Sequence, residues 1–216
     1  MKSLMSMLHR TQPLRCLAAA AMCALAFNAH AAIGAASAAD VTLAGQPADA
    51  FAYQEGWNPH AGPQGDTSGF GSAFDGFGSG DYSLLDKYEA GGSFTNAGPL
   101  TFTFTGDTGT SGEWTVTNTS ATHNITLDLI FAIHAGNQGG AWLFDNETIN
   151  AGQTLEGTWQ IMWTVGMNGA HPEFSNLTLF GQDMVMTPVP EPGTYAMLLA
   201  GLGVAGVAMR RKRKVH

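Results

Sequence analysis

"NITLDLIFAIHAG", residues 124–136, decides the fold. Ile125, Leu127, Leu129, Phe131 and Ile133 recur at every second position, which places them on one face of a strand. A turn, "AGNQGG" (135–140), follows, and then a short aromatic strand, "AWLFD" (141–145). The same period runs through "PLTFTFTG" (99–106), "GEWTVTN" (112–118), "GTWQIMWTVG" (157–166) and "FSNLTLFG" (174–181). These runs are rich in threonine, β-branched and aromatic residues, and Gly, Asn, Asp or Thr bounds each. Six such strands over residues 92–187 predict an all-β, antiparallel β-sandwich or jelly-roll-like ectodomain. One apolar face per strand predicts a sheet buried on a single side.

Residues 32–91 read differently. "EGWNPHAGPQGDTSGFGSAFDGFGSGDYS" (55–83) carries a glycine every few positions, which predicts a Gly/Asp-rich, partly irregular portion of the same ectodomain. Its aromatic residues argue against full disorder. Tyr53, Trp57 and Tyr82 are candidate glycan contacts, because indole and phenol faces stack on sugar rings. Asp66, Asp75 and Asp81 are candidate calcium ligands, although their spacing matches no EF-hand. No other cofactor is expected.

Charge is partitioned along the chain. Residues 32–189 hold sixteen acids against one cation, Lys87, for a net −15. A surface of that sign repels nucleic acid, so no nucleic-acid partner is expected. With no arginine it also lacks a bidentate clamp for phosphate. The two cysteines, Cys16 and Cys23, lie outside this segment, so it folds without disulfides, thiolate zinc sites or a cysteine nucleophile. No catalytic motif is present, and the four histidines of the ectodomain (His60, His123, His134 and His171) are scattered. The chain is not expected to be an enzyme. Asn118, Asn124, Asn146 and Asn176 match the glycosylation sequon, as a threonine-rich β-protein does by composition, and mark turns and exposed strand faces.

The two ends supply an address. Residues 1–31 combine a basic start (Lys2, Arg10, Arg15), an unbroken apolar run at 16–27 and "NAHAA" (28–32). That is a signal peptide, with Ala29 and Ala31 at the small positions and cleavage by signal peptidase after Ala31. "AASAAD" (35–40) offers a second cut, after Ala38 or Ala39. At the other end, "VPEPGTYAMLLAGLGVAGVAMRRKRK" (189–214) joins three unlike features: Pro190-Glu191-Pro192, seventeen uncharged residues (193–209), and Arg210, Arg211, Lys212, Arg213 and Lys214. As a helix the uncharged run is near the lower limit for a bilayer span, and the cations hold its end on the cytoplasmic side. A single transmembrane helix is therefore expected.

Residues 188–216 resemble the PEP-CTERM sorting signal of Gram-negative bacteria: a Pro-Glu-Pro motif, one apolar helix, then an arginine-rich cluster at the chain end. The resemblance implies processing at the motif by exosortase, an integral-membrane cysteine transpeptidase-like enzyme. It implies a transient single-pass inner-membrane anchor, then the cell surface or extracellular matrix, in association with exopolysaccharide and biofilm. "GTW…MNGAHPEFSNLTLFG" just before the signal is similar to a recurring exported domain of such proteins with unassigned activity. On this reading the protein is a non-enzymatic structural or adhesive component. A glycan-binding module is the alternative and a polysaccharide hydrolase the weaker one.

Overall fold

A computed structural model describes residues 36–166, 169–189 and 192–212. Ten strands and one helix follow one another: β1 (Thr42–Leu43), β2 (Gln46–Pro47), β3 (Ala50–Glu55), β4 (Ser83–Glu89), β5 (Leu100–Phe104), β6 (Ser111–Asn118), β7 (His123–Ala135), β8 (Gln138–Ile149), β9 (Thr154–Gln160), β10 (Asn176–Pro188) and α1 (Pro192–Lys212). A five-stranded sheet has the order β3-β8-β7-β10-β4, and a three-stranded sheet the order β5-β6-β9. All strand pairs are antiparallel, and β1 and β2 form a small ribbon. That ribbon lies beside β9 through the Val41–Trp159 bridge and a bond from Ala44 N to Glu156 O at 2.8 Å.

The two sheets face each other across one core. Trp114, Trp142, Trp159 and Trp163 are fully buried there with Phe131 and Phe144. A buried indole needs a partner for its N–H. Each finds a backbone carbonyl: Thr42 for Trp114, Ser37 for Trp142, Thr105 for Trp159 and Ala135 for Trp163, at 2.9–3.2 Å. The turn from β7 to β8 uses Gly136 and Asn137, both with positive φ (60° and 62°), as a tight hairpin loop requires.

The alternation read from the sequence is observed in the small sheet. On β9 the pattern is strictly exposed and buried by turns, and on β5 and β6 threonines face outward from Phe102, Trp114 and Val116. The large sheet departs from it. Residues 129–133 of β7 are all fully buried, so this strand is covered on both faces, and the expectation of a single buried face is corrected. The cover is the glycine-rich segment. Trp57, Phe70 and Phe74 close over Ala50, Ala52, Ile130, Ala132, Ala141, Leu143 and Phe180 in a second core.

Within residues 36–91 the long irregular stretch lies between β3 and β4, and those two strands form both edges of the large sheet. Three further expectations change. "AWLFD" is the middle of a twelve-residue strand, β8, and "FSNLTLFG" opens a thirteen-residue strand, β10. Asn118 of the first sequon is fully buried, donating to the His123 and Ile149 carbonyls at 2.8 and 2.9 Å, so it is a structural side chain.

Candidate functional site

The sorting region begins where the large sheet ends. After a register shift between Gln182 and Val185, β10 pairs with β7 through Val185–Thr126, Met186–Ile125, Thr187–Asn124 and Pro188–His123. The pairing does not stop there: Val189 N donates to Thr122 O at 2.8 Å. Pro190 and Glu191 lie outside the described residues, and Pro192 is the first residue of α1. Proline suits a helix start, since its missing N–H would have no partner there. The hydrogen-bonded domain thus reaches the residue that precedes the Pro-Glu-Pro motif. Met184, Val185, Met186 and Val189 leave apolar side chains exposed along this last stretch.

Helix α1 runs for 21 residues, with Met197, Leu198, Leu199, Leu202, Val204 and Met209 exposed. Arg210, Arg211 and Lys212 are its last residues. Arg213 and Lys214 lie outside the described residues, as do Ala29 and Ala31. The expected helix forms, and among the described residues no helix is long and apolar enough to cross a membrane.

The candidate glycan contacts do not form an exposed aromatic platform. Trp57 is 2 % exposed, and its indole N–H donates to Asp66 O at 3.2 Å. A Cβ on Gly69 would lie 2.1 Å from its ring, and one on Gly139 2.4 Å from it. Both glycines are spaces cut for a flat indole, and a side chain so enclosed cannot stack on a sugar. Tyr53 is half-buried, tilted against Trp163 and bonded to Gln138 Oε1. Tyr82 is half-buried, edge-on to Phe70 with ring centroids 5.0 Å apart. Burial raises both phenols above their ordinary pKa, with Glu55 adding to the effect at Tyr53 and Asp128, Asp75 and Asp183 at Tyr82.

Nor do the candidate calcium ligands meet. Asp66 Oδ1 accepts the Ser68 N–H at 2.9 Å and closes a local turn. Among the described residues no three His, Cys, Asp or Glu side chains are grouped to hold a metal. His60 and His134 are half-buried, and burial lowers both below the ordinary imidazole range. Lys87 Nζ donates to the His60 and Gly62 carbonyls, tying the glycine-rich cover to β4.

What sequence reasoning missed is a surface. The outward face of the small sheet is a field of threonines. Thr103 bonds Thr115 at 2.8 Å, Thr117 bonds Thr154 at 2.7 Å, and Thr42 bonds Thr158 at 2.8 Å. An open groove of about 550 Å³ crosses this face, with Glu113 and Glu156 on its walls. The threonine alternation in "TFTFT" and "WTVT" was its signal in the sequence.

No curated protein and no solved structure matches the chain. Residues 188–214 match the model described as the PEP-CTERM protein-sorting motif. The segment that starts at the last residue of β10 and runs through α1 is thus a PEP-CTERM protein-sorting motif, which marks this all-β chain for export and for membrane-associated sorting by exosortase.

Proposed function

We propose that the chain is a non-enzymatic surface or matrix protein, displayed by the sorting system for a structural or adhesive role in exopolysaccharide or biofilm. The observation that carries this reading is the threonine face. Its hydroxyls are paired across strands, exposed and held at the fixed spacing of a sheet, and such an array exchanges hydrogen bonds with hydroxylated polymer over a broad area. Deleting the gene under polysaccharide-producing conditions tests it. Cells are expected to lose aggregation or matrix cohesion, and an unchanged matrix rejects the role.

A glycan-binding module is the second reading, supported by the groove between Glu113 and Glu156. It replaces stacking on Trp57 with hydroxyl and carboxylate contacts. Binding on a glycan array that is lost when Thr115 is changed to Arg favours it. Turnover of a polysaccharide substrate favours the hydrolase instead.

Processing is tested separately. Membrane insertion does not need the Glu191 charge, whereas recognition of a carboxylate between two rigid prolines does. Glu191→Gln is therefore expected to leave a heavier, membrane-retained form in an exosortase-competent cell. Intact-mass analysis of surface-extracted protein reads this out, and the same truncated mass in variant and parent contradicts it.

A further inference from the structure

The large sheet is interrupted twice at one level. The β7–β8 register shifts between Leu127 and Leu129, at Asp128, and the β10–β7 register shifts between Gln182 and Val185, at Asp183. Asp183 and Asn146 both take positive φ there, 51° and 52°. Such bulges re-aim side chains. Here they turn three toward one place in the glycine-rich cover. A Cβ built on Gly78 would lie 2.5 Å from Asp128 Oδ2, 2.7 Å from Asp183 Oδ2 and 3.1 Å from the Gln182 amide carbon.

These groups are only partly satisfied. Asp128 is 3 % exposed, and its Oδ1 accepts the Asn146 N–H at 2.8 Å. Asp183 Oδ2 accepts the Ser79 N–H at 3.0 Å. Gln182 is 4 % exposed, and its Nε2 donates to Gly80 O at 2.6 Å. Its Oε1 is buried and accepts nothing. A buried acceptor left unpaired is costly, since it has given up water without gaining a donor. Burial also pushes the Asp128 carboxyl up, against the pull of the Asn146 N–H, with Asp145 and Asp183 adding repulsion. Lys87, the one cation of residues 32–189, is bound to the His60 and Gly62 carbonyls instead.

We propose that Asp128, Asp183 and the Gln182 amide oxygen form a calcium site that pins residues 78–80 of the cover to β7 and β10. Two carboxylates and a carbonyl-type oxygen are hard donors of the kind calcium takes, and among the described residues no histidine or cysteine is grouped with them to favour zinc. Magnesium demands a near-ideal octahedron, whereas calcium accepts an irregular shell completed by water. The third donor is an amide, so the site is not a cluster of acids and histidines alone. Calcium here relieves the Asp128–Asp183 repulsion and satisfies Gln182 Oε1 together.

Thermal unfolding of the full-length chain in detergent tests the site, comparing millimolar CaCl2 with NaCl at matched ionic strength. Calcium is expected to raise Tm more than sodium does. The excess is lost in Asp183→Asn, whose side chain is exposed and dispensable for packing, and in Asp128→Asn. It persists in Asp66→Asn. Limited proteolysis gives a second readout: calcium slows cleavage within residues 56–82 of the parent and not of Asp183→Asn. Equal Tm shifts from the two salts, or an excess that survives in Asp183→Asn, overturn the proposal.

Discussion

The two sheets of this sandwich treat their outward faces in opposite ways. The small sheet leaves its outer face wet, with Thr103, Thr115, Thr117 and Thr154 bonded to one another. The large sheet covers its outer face with a segment that has almost no regular structure, and buries Ile130, Ala132, Ala141, Leu143 and Phe180 beneath it. Burying a large side chain contributes about 1.5–3 kcal/mol, so a cover without hydrogen-bonded ladders is held by its aromatics. Trp57, Phe70, Phe74 and Tyr82 supply them, with Phe70 in contact with Trp57, Phe74, Tyr82 and Phe180 at centroid distances of 5.0–5.7 Å. Glycine frequency is thus no measure of looseness. In this cover the glycines admit rings.

The sharpest way to break that contrast is Trp57→Ala. If the cover is a second core, the change costs about 3–5 kcal/mol, the range for truncating a buried aromatic. A urea midpoint near that of the parent returns residues 56–82 to the status of a loose loop. A smaller effect is expected from Gly69→Ala. Its added methyl meets the Trp57 ring, and overpacking of that kind costs about 1–3 kcal/mol. Thermal stability equal to the parent's shows that the indole can step aside. The least effect belongs to the wet face, where Thr103→Val is expected to stay within about 0.5 kcal/mol, as surface substitutions usually do. A loss above that range gives the threonine pairs a structural weight they lack on this account.

How much of this was legible in the sequence obeys the same division. The small sheet was readable because one side of it meets water, so threonine and aromatic residues alternate without interruption in β5, β6 and β9. The sorting motif was readable because its three parts are adjacent in the chain. The edges of the large sheet were not. In β3, the residues facing the second core are Ala50 and Ala52, too small to stand out as an apolar stripe. In β4, Asp86 is 4 % exposed at a position that alternation assigns to a hydrophobe. Its carboxylate accepts from Thr95 N, Thr95 Oγ1 and Asn96 N at 2.6–3.1 Å, a local cage that composition does not announce. Trp57 was misplaced because Gly69 and Gly139, seventy positions apart, come together only in the fold. Asp128 and Asp183 are hidden for the same reason, since two bulges on different strands bring them together.

The bond from Val189 N to Thr122 O has a mechanical consequence. A domain hung on a flexible spacer samples many orientations. Here the last strand runs to within one residue of the Pro-Glu-Pro motif. A cut at that motif leaves an end clamped to the first residues of β7, so anything joined to it inherits the axis of the sheet. The domain is held by a handle.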